Sequence, residues 1–120
     1  MTTANKRTGI LVRPRIYIEG MTTIGPGKVD LLRKIGEMRS ISAAARSLGI
    51  PYKKAWILVD SLNQSLSRPV VETATGGKGG GGAQLTHLGA TLIECYDSLE
   101  ITLNMKSVTE LKALLDALTE

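Results

Sequence analysis

The sequence predicts a mainly α-helical domain that carries a small β wing. Residues 41–58 have the pattern of two short helices joined by a tight turn, and a glycine-rich stretch separates two short extended segments, 70–74 and 83–85. The chain has 120 residues, which is enough for one domain. Aromatic residues make up 3% and Phe is absent, so the core must be built from Leu, Ile, Val and Ala, as in closely packed helices.

Composition excludes several classes of function. The single cysteine, Cys95, excludes an intramolecular disulfide, and with a single histidine, His87, it leaves no ligand set for a metal ion. No apolar run is long enough to span a membrane, and the N-terminal MTTANKRTG lacks the apolar core of a signal peptide. We therefore expect a cytoplasmic, nucleoid-associated protein with no metal and no membrane partner.

Charge is divided unevenly along the chain, although the formal net charge is only +4. Residues 1–82 hold 13 of the 15 Lys and Arg and 5 of the 11 acids, a net +8, whereas residues 83–120 carry −4. A basic segment of this kind suits a polyanion, although it also occurs as a plain soluble surface. In the acidic part, Glu94, Asp97 and Glu100 are expected to form a solvated helix face.

The first third of the chain predicts a strand, a turn and a helix. Residues 1–8 are polar and are expected to be a flexible N-terminus. In residues 9–20, isoleucines alternate with polar side chains, which indicates a strand with one polar face. Residues 21–27 are predicted to be a turn, and an apolar stripe over residues 28–38 predicts the first helix.

Residues 41–58, ISAAARSLGIPYKKAWIL, fit the template of a helix-turn-helix at every position tested. The fifth position must be small so that the second helix can approach, and it is Ala45. The ninth must tolerate the turn, and it is Gly49. The positions that should be apolar hold Ala44, Leu48, Ile50, Ala55 and Leu58. The same template occurs in helical hairpins that do not contact DNA, so the spacing alone leaves both interpretations open.

The exposed positions of this motif favour DNA as the partner. A recognition helix presents its N-terminal residues to base edges in the major groove. Serines at the start of the preceding helix can contact phosphate or serve only as N-caps, and Trp56 is also a candidate for the core. The candidate DNA-binding residues are Ser40, Ser42, Arg46, Pro51, Tyr52, Lys53, Lys54, Trp56, Ile57, Arg68 and Lys78.

The hairpin over residues 70–85 is the expected wing. Its loop holds Gly76, Gly77, Gly79, Gly80, Gly81 and Gly82, and glycine allows backbone N–H groups to approach a phosphate closely. The spacing GxGxxG also matches a dinucleotide fingerprint, in which the last glycine enters a helix. Here an extended segment follows, so we expect neither a nucleotide-binding enzyme nor any catalytic residue.

Residues 87–120 are expected to be a helical dimerisation arm behind a DNA-binding domain at 9–86. Thr86 can cap the first helix, and Ser107-x-x-Glu110 is a capping-box pattern for a further one. Whether residues 104–107 break the helix stays open at this point. The apolar stripe assigned to dimerisation consists of Leu88, Leu92, Tyr96, Leu99, Leu103, Val108, Leu111, Leu115 and Leu118.

The runs SISAAARSLGIPYKKAW and VETATGGKGGGGAQLT closely resemble the N-terminal DNA-binding domain of the ModE-type molybdate-responsive transcription regulators. The general pattern is also similar to that of LysR-type regulators. The resemblance extends over most of residues 9–104 and implies a winged helix-turn-helix with a long C-terminal dimerisation helix, a homodimer and a palindromic operator. Pro51 departs from the serine that the family commonly has.

Family members that sense molybdate do so with a separate oxyanion-binding domain, which these 120 residues do not include. We therefore expect no cofactor: molybdate or a related oxyanion is not expected to bind this chain alone, and a separate sensor protein is a candidate partner. The expected function is that of a sequence-specific regulator, not an enzyme, that binds double-stranded DNA as a homodimer. The alternatives are an architectural DNA-binding protein without sequence preference and a protein-interaction module.

Overall fold

The computed structural model describes residues 9–74 and 82–120. The elements follow in the order β1 (Ile16–Ile18), β2 (Thr22–Ile24), α1 (Pro26–Met38), α2 (Ile41–Leu48), α3 (Tyr52–Ser65), β3 (Val71–Thr73), β4 (Ala83–Leu85), α4 (His87–Lys106) and α5 (Val108–Thr119). In this part of the chain, β1 pairs with β2 and β3 with β4, both antiparallel. The mainly α-helical winged helix-turn-helix is confirmed. The predictions for residues 1–8 and for Gly76, Gly77, Lys78, Gly79, Gly80 and Gly81 lie outside the described residues.

A hairpin precedes the first helix where the sequence predicted one strand and a turn. Gly20 has a φ of 78°, and the Met21 N–H donates to the Ile18 carbonyl at 3.0 Å, which closes the connection between β1 and β2. The prediction of a turn is therefore wrong for Thr22–Ile24. Three residues are too few to show alternation, and the strand forms because β1 supplies its hydrogen-bond partners.

The ends of the helices follow local capping chemistry. Ser40, rather than Ser42, is the N-cap of α2, because its Oγ accepts from the Ala43 N–H at 3.0 Å. Gly49 ends α2 with a φ of 68°, and Thr86 caps α4 by accepting from the Gly89 N–H at 3.1 Å. Each of these ends agrees with the residue chemistry that predicted it.

The core lies between α1, α2, α3 and the base of the wing. The template positions Ala44, Ala45 and Ala55 are at most 1% exposed. Three further template positions are half-buried and pack against the same core: Leu48, Ile50 and Leu58. Small residues at the crossing of α2 and α3 let the two helices approach closely. The helix-turn-helix predicted for residues 41–58 is therefore present in the structure.

The C-terminal arm consists of two helices rather than one. α4 ends at Lys106, and the Ser107 Oγ donates to the Leu103 carbonyl at 2.6 Å. Ser107 makes no side-chain cap to α5, so the expected capping box with Glu110 does not form. The question left open at residues 104–107 is answered by a break at Ser107.

Two buried side chains fix α4 to the body of the domain, one near its middle and one in its last turn. Tyr96 is 2% exposed, and its hydroxyl donates to the Pro14 carbonyl at 2.7 Å. Asn104 is also buried, and its side chain binds both the N–H and the carbonyl of Val12 at 2.8 and 2.9 Å. α4 is thus fixed to the segment that precedes β1.

None of the helices in residues 9–74 and 82–120 is both long and apolar enough to cross a membrane. The same residues contain no group of His, Cys, Asp or Glu side chains that could hold a metal ion.

Candidate nucleic-acid interface

The first two turns of α3 present a basic and partly apolar surface. Tyr52, Lys53, Lys54 and Ile57 are exposed, and we call these four residues the α3 face. Ala55 lies fully buried on the opposite side and fixes the helix to the core. Within the described part of the chain, neither lysine forms an ion pair, so both ammonium groups are free for a partner.

Trp56 serves mainly as a packing residue beneath this surface. It is half-buried against the core, and its ring meets that of Tyr52 edge to face, with centroids 6.3 Å apart and planes at 82°. An aromatic pair of this geometry restricts the exposed ring of Tyr52. This position agrees with the prediction that Trp56 is a core residue. Direct contact between Trp56 and DNA stays a prediction.

The structure places Ser42 and Arg46 together on α2. The Arg46 Nη1 donates to the Ser42 Oγ at 2.9 Å, one turn apart on the helix. Ser40 uses its hydroxyl for the N-cap. The Arg46 guanidinium is therefore held back along the last turn of α2 and is exposed there. In a helix-turn-helix, the helix in this position crosses the DNA backbone.

Asn63 joins α3 to the wing, and the sequence analysis did not single it out. Its Oδ1 accepts from the N–H groups of Val70 and Val71 at 2.8 and 3.3 Å, and its Nδ2 donates to the Val71 carbonyl at 3.1 Å. The side chain acts as an extra strand partner for β3. An asparagine late in a predicted helix gives no sign of this, because the partner residues lie beyond the break at Arg68-Pro69.

The base of the wing packs tightly on α1 and α4. The Val70 carbonyl accepts from the Thr86 N–H at 3.0 Å, and Thr86 Oγ1 donates to the Pro69 carbonyl at 2.8 Å. A Cβ at Gly89 would overlap the Val70 carbonyl oxygen, so a glycine is required there. Arg68 is exposed at the point where the chain leaves α3 for the wing.

Ion pairs form at a different place, where α1, α4 and the segment before β1 meet. Arg33 makes two 2.9 Å hydrogen bonds to Asp97, and Arg13 reaches Asp30 at 2.8 Å and Glu100 at 3.3 Å. We call these five residues the α1–α4 junction. The hydrogen bonds from Arg33 hold the pKa of Asp97 below its ordinary value.

This junction corrects one expectation from the sequence. Asp97 and Glu100 were predicted to be part of a solvated face, but both bind arginines from distant segments. Glu94 is exposed, as predicted. Periodicity places all three acids outside the apolar stripe, but it cannot show that another element covers part of that side.

Curated relatives match the chain over the segment that contains these sites, although no protein-family model matches it. It is 51% identical over 77 residues to the molybdenum-pterin-binding protein MopB of Rhodobacter capsulatus, a match that covers 64% of this chain and 28% of MopB. It is 49% identical over 74 residues to the DNA-binding transcriptional dual regulator ModE of Escherichia coli K12, covering 62% of this chain and 28% of that protein. The chain is similar to the N-terminal region of ModE-type regulators.

A third relative extends the match to the C-terminal arm. The molybdenum transport protein ModE of Azotobacter vinelandii is 33% identical over 113 residues, which is 94% of this chain and 39% of that protein. The chain therefore spans less than half the length of these curated relatives. The resemblance to ModE-type regulators stated from the sequence is confirmed.

The dimerisation stripe assigned to this ModE-like chain divides into buried and exposed parts. Tyr96 and Leu111 are buried within the chain, so they are corrected to packing residues. Leu88 and Leu92 are half-buried against the chain's own core, and their assignment to a dimer surface stays a prediction. Leu103 and Leu115 are half-buried. The exposed members are Leu99, Val108 and Leu118, and the sequence analysis missed two exposed neighbours, Met105 and Leu114.

Proposed function

We propose that the chain is a sequence-specific DNA-binding transcription regulator that binds palindromic operator DNA as a homodimer. The observation that carries the proposal is the α3 face, where Lys53 and Lys54 lie at the start of an anchored helix and have no acidic partner among residues 9–74 and 82–120. The similarity to a regulator named for DNA binding supports the same function.

In the proposed complex, α3 enters the major groove with its N-terminal turns. Lys53 and Lys54 would donate to guanine O6 and N7 or to phosphates, and Ile57 would pack on a thymine methyl group. The Tyr52 hydroxyl is a further donor for a phosphate or a base. Every one of these side chains is exposed, so binding requires no rearrangement of the core.

Phosphate contacts would come from the elements on either side of α3. Arg46 and Ser42 on α2 and Arg68 before the wing are exposed or half-buried polar groups that can hold the duplex in register. Asn63 ties β3 to α3, so the wing and the recognition helix would approach DNA as one rigid unit.

The exposed apolar residues of the arm support the homodimer. α5 projects with Val108, Leu114 and Leu118 41%, 47% and 69% exposed, and Leu99 on α4 is 37% exposed. A second copy that packs on this surface removes it from water and relates two α3 helices by a two-fold axis. Such an axis spaces the two α3 helices by about 34 Å, one turn of DNA, or a multiple of it.

Selection of bound duplexes from a random pool, with and without molybdate, tests this function. We expect a palindromic sequence with half-sites about one DNA turn apart, binding that weakens steeply with salt, and no change with molybdate. Equal affinity for selected and random duplexes would favour the architectural alternative. Binding that is absent at physiological salt would favour a protein-interaction module. Dependence on molybdate would overturn the expectation that this chain binds no oxyanion by itself.

Substitutions that introduce charge on the exposed apolar side of α5 test the homodimer. We expect Leu114→Glu with Leu118→Glu to convert a dimer into a monomer in sedimentation equilibrium, because two carboxylates cannot be buried there without partners. Ala113→Glu on the opposite side of the same helix is the matched control and should remain dimeric. A wild-type monomer at all concentrations would contradict the proposed assembly.

A further inference from the structure

Arg39 has an unusual backbone conformation at the end of α1. It is the one residue other than glycine with a positive φ among residues 9–74 and 82–120, at φ 57° and ψ 33°. Its N–H donates to the Ile35 carbonyl at 2.8 Å and closes the helix. Glycine is the usual residue at such an end, because a Cβ makes the left-handed region costly. The chain therefore has an arginine where glycine would serve the fold better.

The backbone of Arg39 is fixed to the wing. Its carbonyl accepts from the Ala83 N–H, the first residue of β4, at 3.1 Å. A Cβ placed on Gly82 would lie 3.5 Å from the same carbonyl oxygen. The residue immediately after it, Ser40, is the N-cap of α2. Arg39 is thus the point where the wing meets the helix-turn-helix.

Arg39 lines an open cleft beside the wing. The cleft has a volume of about 570 Å³, and its walls include Glu72, Thr73 and Gln84 from the two wing strands. Arg39 is exposed and forms no ion pair with any residue of the described part, Glu72 included. Arg39 is the one cation among the described residues that line this cleft, so it is the group there that can receive an anion.

We propose that Arg39 binds a DNA backbone phosphate at the junction of the wing and α2. This rests on the proposed function, because it makes Arg39 part of the same DNA interface. The helix after Arg39 is the one that crosses the DNA backbone in a helix-turn-helix, and the wing strand β4 begins beside Arg39. Guanidinium groups bind phosphate oxygens through two parallel N–H bonds. A phosphate contact also accounts for an arginine at a position that disfavours it.

The test uses Arg39→Gly with fluorescence anisotropy on a mixed-sequence duplex over a range of salt concentrations. We expect the slope of log K against log salt to fall in magnitude by about 0.9 for each bound subunit, which is about 1.8 for the proposed dimer. Affinity should fall by the same factor on a selected operator and on the mixed duplex. The variant should unfold at an equal or higher temperature, because glycine relieves the left-handed backbone.

Two control variants distinguish a specific phosphate contact by Arg39 from the general effect of removing one positive charge. Arg39→Lys keeps a cation and should retain the salt slope, whereas Lys112→Gln removes an exposed cation of α5 and should leave both slope and affinity unchanged. An unchanged slope in Arg39→Gly overturns the proposal, as does an equal loss in Lys112→Gln. A lower unfolding temperature of Arg39→Gly would mean that Arg39 acts in folding. A loss of affinity for the operator but not for the mixed duplex would mean that Arg39 contacts bases. Either result also overturns the proposal.

The proposed function can fail or survive independently of Arg39. If the wild type binds neither duplex, both proposals are refuted. If the wild type selects an operator while Arg39→Gly binds as tightly and with the same slope, only the assignment of Arg39 is refuted.

Discussion

Basic side chains lie exposed on the α3 face, whereas those of the α1–α4 junction bind carboxylates. At the junction, Arg13 and Arg33 each bind a carboxylate at 2.8–2.9 Å and tie α4 and the N-terminal segment to α1. On the α3 face, Lys53 and Lys54 are exposed, and no carboxylate of the described segments pairs with them. A formal charge count does not distinguish these cations, although only the unpaired ones are available to a polyanion.

The contrast shows where the basic segment can act on DNA. A cation that already binds a carboxylate must lose that bond before it can bind a phosphate, whereas an unpaired one exchanges only water and counterions. Part of the net charge of −4 on residues 83–120 is likewise paired within the protein, because Asp97 and Glu100 bind the junction arginines. On α2 and α3, the exposed cations that form no ion pair among the described residues are Arg46, Lys53 and Lys54.

The largest expected effect on stability comes from Asn63, which couples the α3 face to the wing. Asn63→Leu leaves the Val70 N–H and the Val71 carbonyl without their side-chain partner and should lower the free energy of unfolding by about 2 kcal/mol. Urea denaturation followed by circular dichroism measures this loss. The exposed neighbour Gln64→Ala is the control and should change stability by less than about 0.5 kcal/mol. Equal stability of the two variants would mean that Asn63 does not hold the wing.

A smaller effect is expected when the junction is broken. Asp97→Asn removes the ion pair with Arg33 and should cost about 0.5–1 kcal/mol, because both side chains are about a third exposed to solvent. DNA affinity should be unchanged, since the pair lies outside the proposed interface. Glu94→Gln, one turn earlier on α4, is the matched control because Glu94 forms no ion pair within the described residues.

The same pair predicts a pH dependence. Because the pKa of Asp97 is below its ordinary value of 3.8 in the folded protein, the stabilisation is fully present above that value and is lost as the pH falls below it. Denaturation curves between neutral and acidic pH should show the wild type and Asp97→Asn converging at low pH. A constant difference across the range would show that the carboxylate does not act through its charge.

The sequence predicted the local parts of this structure well. Helix ends at Ser40, Gly49 and Thr86 depend on residues within one turn, and the crossing of α2 and α3 depends on small residues at fixed spacing. These features depend on residues that are close in sequence, so a sequence template can detect them.

The features that the sequence did not predict depend on distant partners. Arg33 and Asp97 are 64 positions apart, and β2 is a strand only because β1 pairs with it. Periodicity also cannot tell which part of an apolar stripe faces the protein's own core, which is why Tyr96 was assigned to a dimer surface although it is buried. The left-handed backbone of Arg39 was missed because no glycine marks it.

The central claim is that the unpaired cations of the α3 face bind DNA and the paired cations of the junction do not. Its most direct test measures the affinity and salt slope of Lys53→Ala with Lys54→Ala beside those of Arg33→Gln on the selected duplex. We predict that the double variant loses at least about 1 kcal/mol of binding free energy. Its salt slope should fall by up to about 3.6 units, about 0.9 for each of four phosphate contacts in the proposed dimer, while its unfolding stays unchanged. Arg33→Gln should bind as the wild type does and unfold more easily. Unchanged binding by the double lysine variant, or an equal loss in Arg33→Gln, would contradict the account.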